Sequence, residues 1–291
     1  MLRTLFVCLL LLFAAAALLL FASYSKGADV YAETPAMKAI AMTPRFRTWD
    51  EHDAIIRTIW PKPYVLELDR FVFYGAHHTS NRHDPQFADI EQRWNAFHPT
   101  VALCEGRSRG FLIGPVFSRI GKKSEVQFVH ELARRDGVRL LTLEPLYADE
   151  VGALLKKWTP EQLVLYFTMR VYWSEAGGKA NESLAKDLLA KRTDVDGLRD
   201  SLHTLADVDR VWRRDFPTLP DWHVLREEPA STYLAAISED SRRIRGEHMA
   251  RTLIDLHRRG ERVFAVVGSG HVIRIELILR NAWSRAASKG A

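Results

Sequence analysis

Residues 262–272 read RVFAVVGSGHV. Five apolar residues follow Arg262, and the chain then breaks into Gly268-Ser269-Gly270-His271. A short apolar run bounded by turn residues reads as a strand buried on both faces of a parallel sheet. Three other runs have the same character: Arg70–Gly75 (RFVFYG), Thr100–Glu105 (TVALCE) and Val138–Glu144 (VRLLTLE). The stretches between them carry helical signals. Asp84-Pro85 supplies an N-cap and a proline at the first helical position. Phe87, Ile90, Trp94 and Phe97 then recur on one helical face, and His98-Pro99 ends the stretch. Ser124 with Gln127 opens a second helix that Gly137 closes, and Thr159-Pro160 with Gln162 opens a third. The predicted fold is α/β, with a mainly parallel central sheet flanked by helices. Residues 46–291 form this domain, and a helical insertion at about 150–235 is expected over the cleft. A long helix is expected from about Glu239 to Arg259.

The composition agrees with a folded domain. The chain has 291 residues, of which 47% are hydrophobic and 26% charged, so it can bury a sizeable core and is not a disordered polymer. The 41 basic and 36 acidic residues leave a net charge of +5. With the two signs mixed along the chain, this is no nucleic-acid signature, and no nucleic-acid partner is expected. Of the two cysteines, Cys8 lies in an N-terminal apolar run and Cys104 in a predicted strand. An internal disulfide is therefore not expected, and Cys104 reads as an inert core residue.

That N-terminal run, LFVCLLLLFAAAALLLFA, spans Leu5 to Ala22 without a polar interruption. Eighteen helical residues reach ~27 Å, close to a bilayer core of ~30 Å. Residues 1–24 are therefore expected to be a signal anchor or a cleaved signal peptide, with residues 25–45 as a linker. The membrane is the expected partner of the first segment. The domain is expected on the extracytoplasmic side of a cell membrane, or secreted or periplasmic if the signal is cleaved.

Every predicted strand ends in polar residues. The first runs into Gly75-Ala76-His77-His78, the second ends at Glu105, the third at Glu144, and the fourth runs into Gly268-Ser269-Gly270-His271. The carboxyl ends of parallel strands line one edge, where open α/β sheets bind ligands. Two Gly-x-x-His segments and two glutamates should therefore meet in one cleft. Gly75 and Gly268 are read as turn residues that let the histidines face it. Imidazole there can act as a general base or bind a metal, and a carboxylate can orient it, join a metal shell or act as the base. Spacing does not choose among Mn, Co and Zn. His83 is a secondary candidate, as is His77. His130, His203, His223, His248 and His257 read as surface residues of helices. On the long helix, projection at 100° per residue puts Arg242 within the apolar side and Arg245 at its edge, and periodicity does not choose between them.

The segments GAHHTS (75–80), PTVALCEGRSR (99–109), RRIRGEHMA (242–250) and RVFAVVGSGHV (262–272) resemble, in order, the signature segments of the TraB/TIKI superfamily. That group includes the TIKI metalloproteases and the GumN-like proteins, with erythromycin-esterase-type and ChaN-type proteins as distant relatives. The resemblance implies a site of His78, Glu105, Arg245 and His271, with Arg109 (or Arg107) after the strand-ending glutamate. It brings in Glu144 through the segment LEP. It also implies a hydrolase: a metal-dependent peptidase-like enzyme with His78, Glu105 and His271 as ligands, or a metal-independent, esterase-like one. The expected substrate is a peptide or a small ester or amide. A haem- or small-ligand-binding module without turnover is the alternative.

Overall fold

The computed structural model describes residues 24–25, 27–79, 81, 83–106, 111–112 and 124–287. In chain order its strands are β1 (Tyr24–Ser25), β2 (Asp29–Val30), β3 (Tyr64–Leu68), β4 (Phe71–Ala76), β5 (Val101–Cys104), β6 (Phe111–Leu112), β7 (Arg139–Thr142) and β8 (Val263–Gly268). Its helices are α1 (Pro35–Lys38), α2 (Trp49–Ile59), α3 (Pro85–Phe97), α4 (Glu125–Asp136), α5 (Tyr147–Leu154), α6 (Pro160–Ala176), α7 (Glu182–Thr193), α8 (Leu205–Asp215), α9 (Tyr233–Arg258) and α10 (Ser269–Ala287). The chain divides into two compact units, one of residues up to 144 together with those from 246, the other of residues 145–245. Helix α9 runs on from the second unit into the first.

Six strands of the first unit form a sheet in the order β2-β7-β5-β8-β4-β3. All neighbouring pairs are parallel except β3 with β4, which is antiparallel. The last strand in sequence, β8, enters between β4 and β5. The expected mainly parallel α/β sheet is thus present, and all four expected strands are in it. On one face Phe71, Phe73, Leu103 and Ala265 pack against Met249, Leu253 and Ile254 of α9 and Val272 and Ile275 of α10. On the other, Val72, Tyr74, Ala102 and Phe264 pack against Ile90 and Trp94 of α3 and Phe128 and Leu132 of α4. The strands alternate sides, yet both sides are covered, so the sequence runs are continuously apolar.

The helix ends match their sequence signals. Asp84 accepts from the Gln86 amide, Ser124 from Gln127, and Thr159 forms a reciprocal capping box with Gln162. Gly137 closes α4 in the left-handed conformation. The stretch read as a linker is packed instead. Asp29–Val30 extends the sheet beside β7, and Met37 and Ile40 are buried. Pieces this short bury one or two side chains each and leave no periodicity to read. The apolar run from Leu5 to Ala22 lies outside the described residues, among which no helix is long and apolar enough to cross a membrane.

The unit of residues 145–245 is helical, as expected, and has its own core. Leu163, Phe167 and Trp173 of α6 pack with Leu188 of α7, Val211 and Trp212 of α8, and Trp222. The Trp173 indole N–H donates to the Trp222 carbonyl at 2.9 Å.

Two glycine substitutions should move stability in opposite directions. A Cβ on Gly75 would lie 2.7 Å from the Tyr64 carbonyl oxygen and 2.8 Å from Ser269 Cα, both backbone atoms that cannot step aside. Gly75→Ala is expected to cost ~1–3 kcal/mol through overpacking. Gly152, inside α5, has nothing within 4 Å of that position. Gly152→Ala is expected to add about 0.5–1 kcal/mol through helix propensity. Denaturant midpoints of the two variants check both signs.

Candidate functional site

Because β8 lies between β4 and β5, the carboxyl ends of three strands from distant parts of the chain are neighbours. Ala76 pairs with Gly268, and Cys104 with Val266. His78 follows the first strand, Glu105 the second, and α10 starts directly at the end of the third. The glycines serve this meeting in a way other than the expected turn. Neither Gly75 nor Gly268 has a positive φ, and both are strand residues. What they supply is space. A Cβ on Gly268 would come within 2.9 Å of His78 Nε2 and 3.3 Å of Glu105 Oε2. The left-handed glycine at this edge is Gly106, with φ of 97°, directly after Glu105.

The Glu105 carboxylate bridges two groups of the turn. The Gly268 amide donates to Oε2 at 2.7 Å, and His271 Nε2 lies 3.2 Å from Oε1. A carboxylate at the first turn of α10 also meets the positive end of the helix dipole. His78 is held from the other side. Its Nδ1 lies 2.6 Å from Glu125 Oε1. A carboxylate only accepts, so Nδ1 carries the proton, and in the neutral ring Nε2, which lies beside Gly268, keeps its lone pair. The His78 side chain is 71% exposed, whereas Glu125 is 5% exposed. The hydrogen bond to Glu125 raises the His78 pKa above its usual 6.5, the negative charges of Glu105 and Glu125 add to the rise, and burial opposes it. Such a pair suits proton abstraction at near-neutral pH, because a carboxylate on the far nitrogen fixes the tautomer and strengthens the base.

Glu125 is absent from the sequence-based site. It opens α4 directly after the Ser124 cap, where an acidic residue reads as a complement to the helix dipole. Glu144 is buried, and its amide donates to Thr142 Oγ1 at 3.1 Å. Burial pushes the Cys104 thiol up to about 12, with the charges of Glu105 and Glu144 adding to it. Cys104 is thus a buried core residue on which both carboxylates act. Its sulfur lies 3.9 Å from Nε2 of His130, a buried ring whose pKa burial depresses to about 4. His130, His248 and His257 are buried, not surface residues.

Other candidates lie elsewhere. His77 turns to Asp84, with Nε2 2.9 Å from the carboxylate, and its ring meets Trp60 edge-on at 5.8 Å. It thereby braces the start of α3. His83 is exposed in the turn before α3. Arg109 and Arg107 lie outside the described residues. Arg245 is buried and Arg242 exposed, which decides between the two arginines that periodicity left open. The buried stripe of α9 passes through Ser238, Ser241 and Arg245, polar positions that a hydrophobic projection does not weigh. Arg245 is the last residue of the helical unit. Among the described residues no group of three or more His, Cys, Asp or Glu side chains is arranged to hold a metal ion. The expected ligands His78, Glu105 and His271 meet at this turn, with the Gly268 amide on one Glu105 oxygen and His271 near the other.

The Glu125–His78 pair has a spectroscopic signature. The His78 ring should titrate above 6.5 by NMR, and Glu125→Gln should lower its pKa. An unchanged titration would show that the hydrogen bond does not govern the ring.

Matching against protein-family models, curated proteins and solved structures finds no similar protein for this chain.

Proposed function

We propose that the chain is a hydrolase in which His78 activates water against an ester, amide or peptide carbonyl. The observation that carries this reading is the exposed His78 imidazole, tied through Nδ1 to buried Glu125 and directed through Nε2 at the Gly268 turn. His78 Nε2 takes a proton from water as the oxygen attacks. Glu125 stabilises the imidazolium that forms, and Glu105 adds negative charge beside it. Glu105 also holds Gly268 and His271, which makes it a positioning residue for the turn. The order of segments that resembles the TraB/TIKI superfamily points to the same class of reaction. The apolar run from Leu5 to Ala22 supports a place at, or beyond, a cell membrane.

A divalent metal is the second reading. The Glu125–His78 pair favours it, because a carboxylate on one imidazole nitrogen is also the usual way of orienting a metal-binding histidine.

The test is hydrolysis of chromogenic esters and peptide amides by the purified chain. His78→Ala should lower kcat/KM by ~10²–10⁴-fold, the range for loss of a general base. Glu105→Gln should lower it less. Full activity in His78→Ala would remove the proposal. Activity lost in chelator and restored by Zn²⁺, Mn²⁺ or Co²⁺ would select the metal reading.

A further inference from the structure

The segment that carries His271 approaches a second imidazole, that of His52 in α2. A Cβ on Gly270 would lie 3.3 Å from His52 Nε2, much as a Cβ on Gly268 would lie 2.9 Å from His78 Nε2. Two glycines, two residues apart in one turn, thus each leave room for a histidine ring. Each ring has a carboxylate at Nδ1, an exposed one beside His52 and a buried one beside His78. His52 Nδ1 lies 2.9 Å from the Asp53 carboxylate, as His78 Nδ1 lies 2.6 Å from that of Glu125. In each case the carboxylate fixes the proton on Nδ1 and turns Nε2 to the same short segment.

The support of His52 is local and firm. Helix α2, which carries it, starts at a reciprocal capping box between Thr48 and Glu51. Trp49 packs on the His52 ring at 5.2 Å, nearly perpendicular, and the Arg274 guanidinium lies 4.2 Å from the Trp49 ring. The two histidines differ in their access to water. The His52 side chain is 14% exposed, and that of His78 is 71% exposed.

We propose that His52 is a second catalytic residue of this site, the general acid that protonates the leaving group. The proposal rests on the hydrolase reading with His78 as base. In the step, water gives one proton to His78 Nε2 while its oxygen bonds to the acyl carbon. The bond from that carbon to the leaving oxygen or nitrogen breaks, and its electron pair stays on the leaving atom. That atom takes the Nε2 proton of protonated His52. His78 ends protonated and His52 neutral, and proton exchange with solvent restores both.

The experiment compares two acetate esters with the full chain. The leaving group of p-nitrophenyl acetate needs no proton, whereas that of ethyl acetate does. His52→Ala should lower kcat/KM for ethyl acetate by ~10²-fold or more and leave p-nitrophenyl acetate within about threefold. His78→Ala should lower both. Helix α2 has no fully buried residue, so the substitution opens no core. His52→Gln, with its melting curve compared to the parent, separates lost chemistry from lost structure and should repeat the pattern. An equal loss on both esters, or no loss on either, in His52→Ala and His52→Gln would overturn the role of His52 and leave that of His78 standing. Unchanged activity in His78→Ala would overturn the hydrolase reading. A parent chain that cleaves neither ester would overturn both.

Discussion

The His78 imidazole lies where a side chain on Gly268 would have to go. Its Nε2 is 2.9 Å from that position, and Glu105 Oε2 is 3.3 Å from it. This close approach fixes much of the sheet edge. It requires β8 to run between β4 and β5, so that both neighbouring strand ends reach over the same residue. It requires a bare backbone at the junction of β8 and α10. It also requires a bare backbone at Gly75 of β4, where the Cα of Ser269, the first residue of α10, comes about equally near. A methyl group at either glycine would push apart elements whose contact brings the imidazole and the carboxylate together.

A platform built on backbone contact needs α10 held firmly. Buried Glu276 does this from two turns into the helix. It accepts from the Tyr64 hydroxyl at 2.6 Å, from Arg280 Nε at 2.7 Å and from Arg47. Burial and then the bond to Glu276 push the Tyr64 phenol up to about 12, so it stays a donor over the whole working range. The carboxylate thereby ties α10 to β3 and to the segment before α2. A buried charge with three donors is satisfied, and removing any of them leaves part of it uncompensated. The His78 end of α10 is thus anchored through the edge strand as well as through the apolar core.

The sequence carried the parts of this arrangement that depend on burial and left out those that depend on proximity. Four strands are continuous apolar runs because both sheet faces are covered, and such runs stand out in any chain. Strand β3 does not, because at the edge Tyr64–Leu68 mixes Glu67 with partly exposed apolar residues. His78, Glu105 and His271 were legible because each ends or follows a readable strand. Glu125 and His52 were not, because each stands near the start of a helix, where acidic and polar residues are ordinary. The glycines of the two Gly-x-x-His segments were noticed for a plausible reason that proved wrong. Nothing in a sequence distinguishes a glycine needed for φ from one needed for room. On helix α9 periodicity left Arg242 and Arg245 open, since the stripe holding Arg245 is buried through serines.

The proton that serves the chemistry also bears on the fold. The His78 pKa stands above its usual 6.5 because Glu125 and Glu105 favour the charged ring. A group whose pKa is raised by folding stabilises the native state fully below its unfolded value. That contribution fades as pH rises through the folded value. Proton abstraction needs the neutral ring, which dominates only above the folded value. The pH range in which His78 is a competent base is therefore the range in which its charge no longer supports the fold. What remains there is the Nδ1–H bond to Glu125, together with the packing of the ring over Gly268. This explains why the ring is fixed by contact as well as by charge: a base held by ion pairing alone would loosen at the pH where it is meant to work.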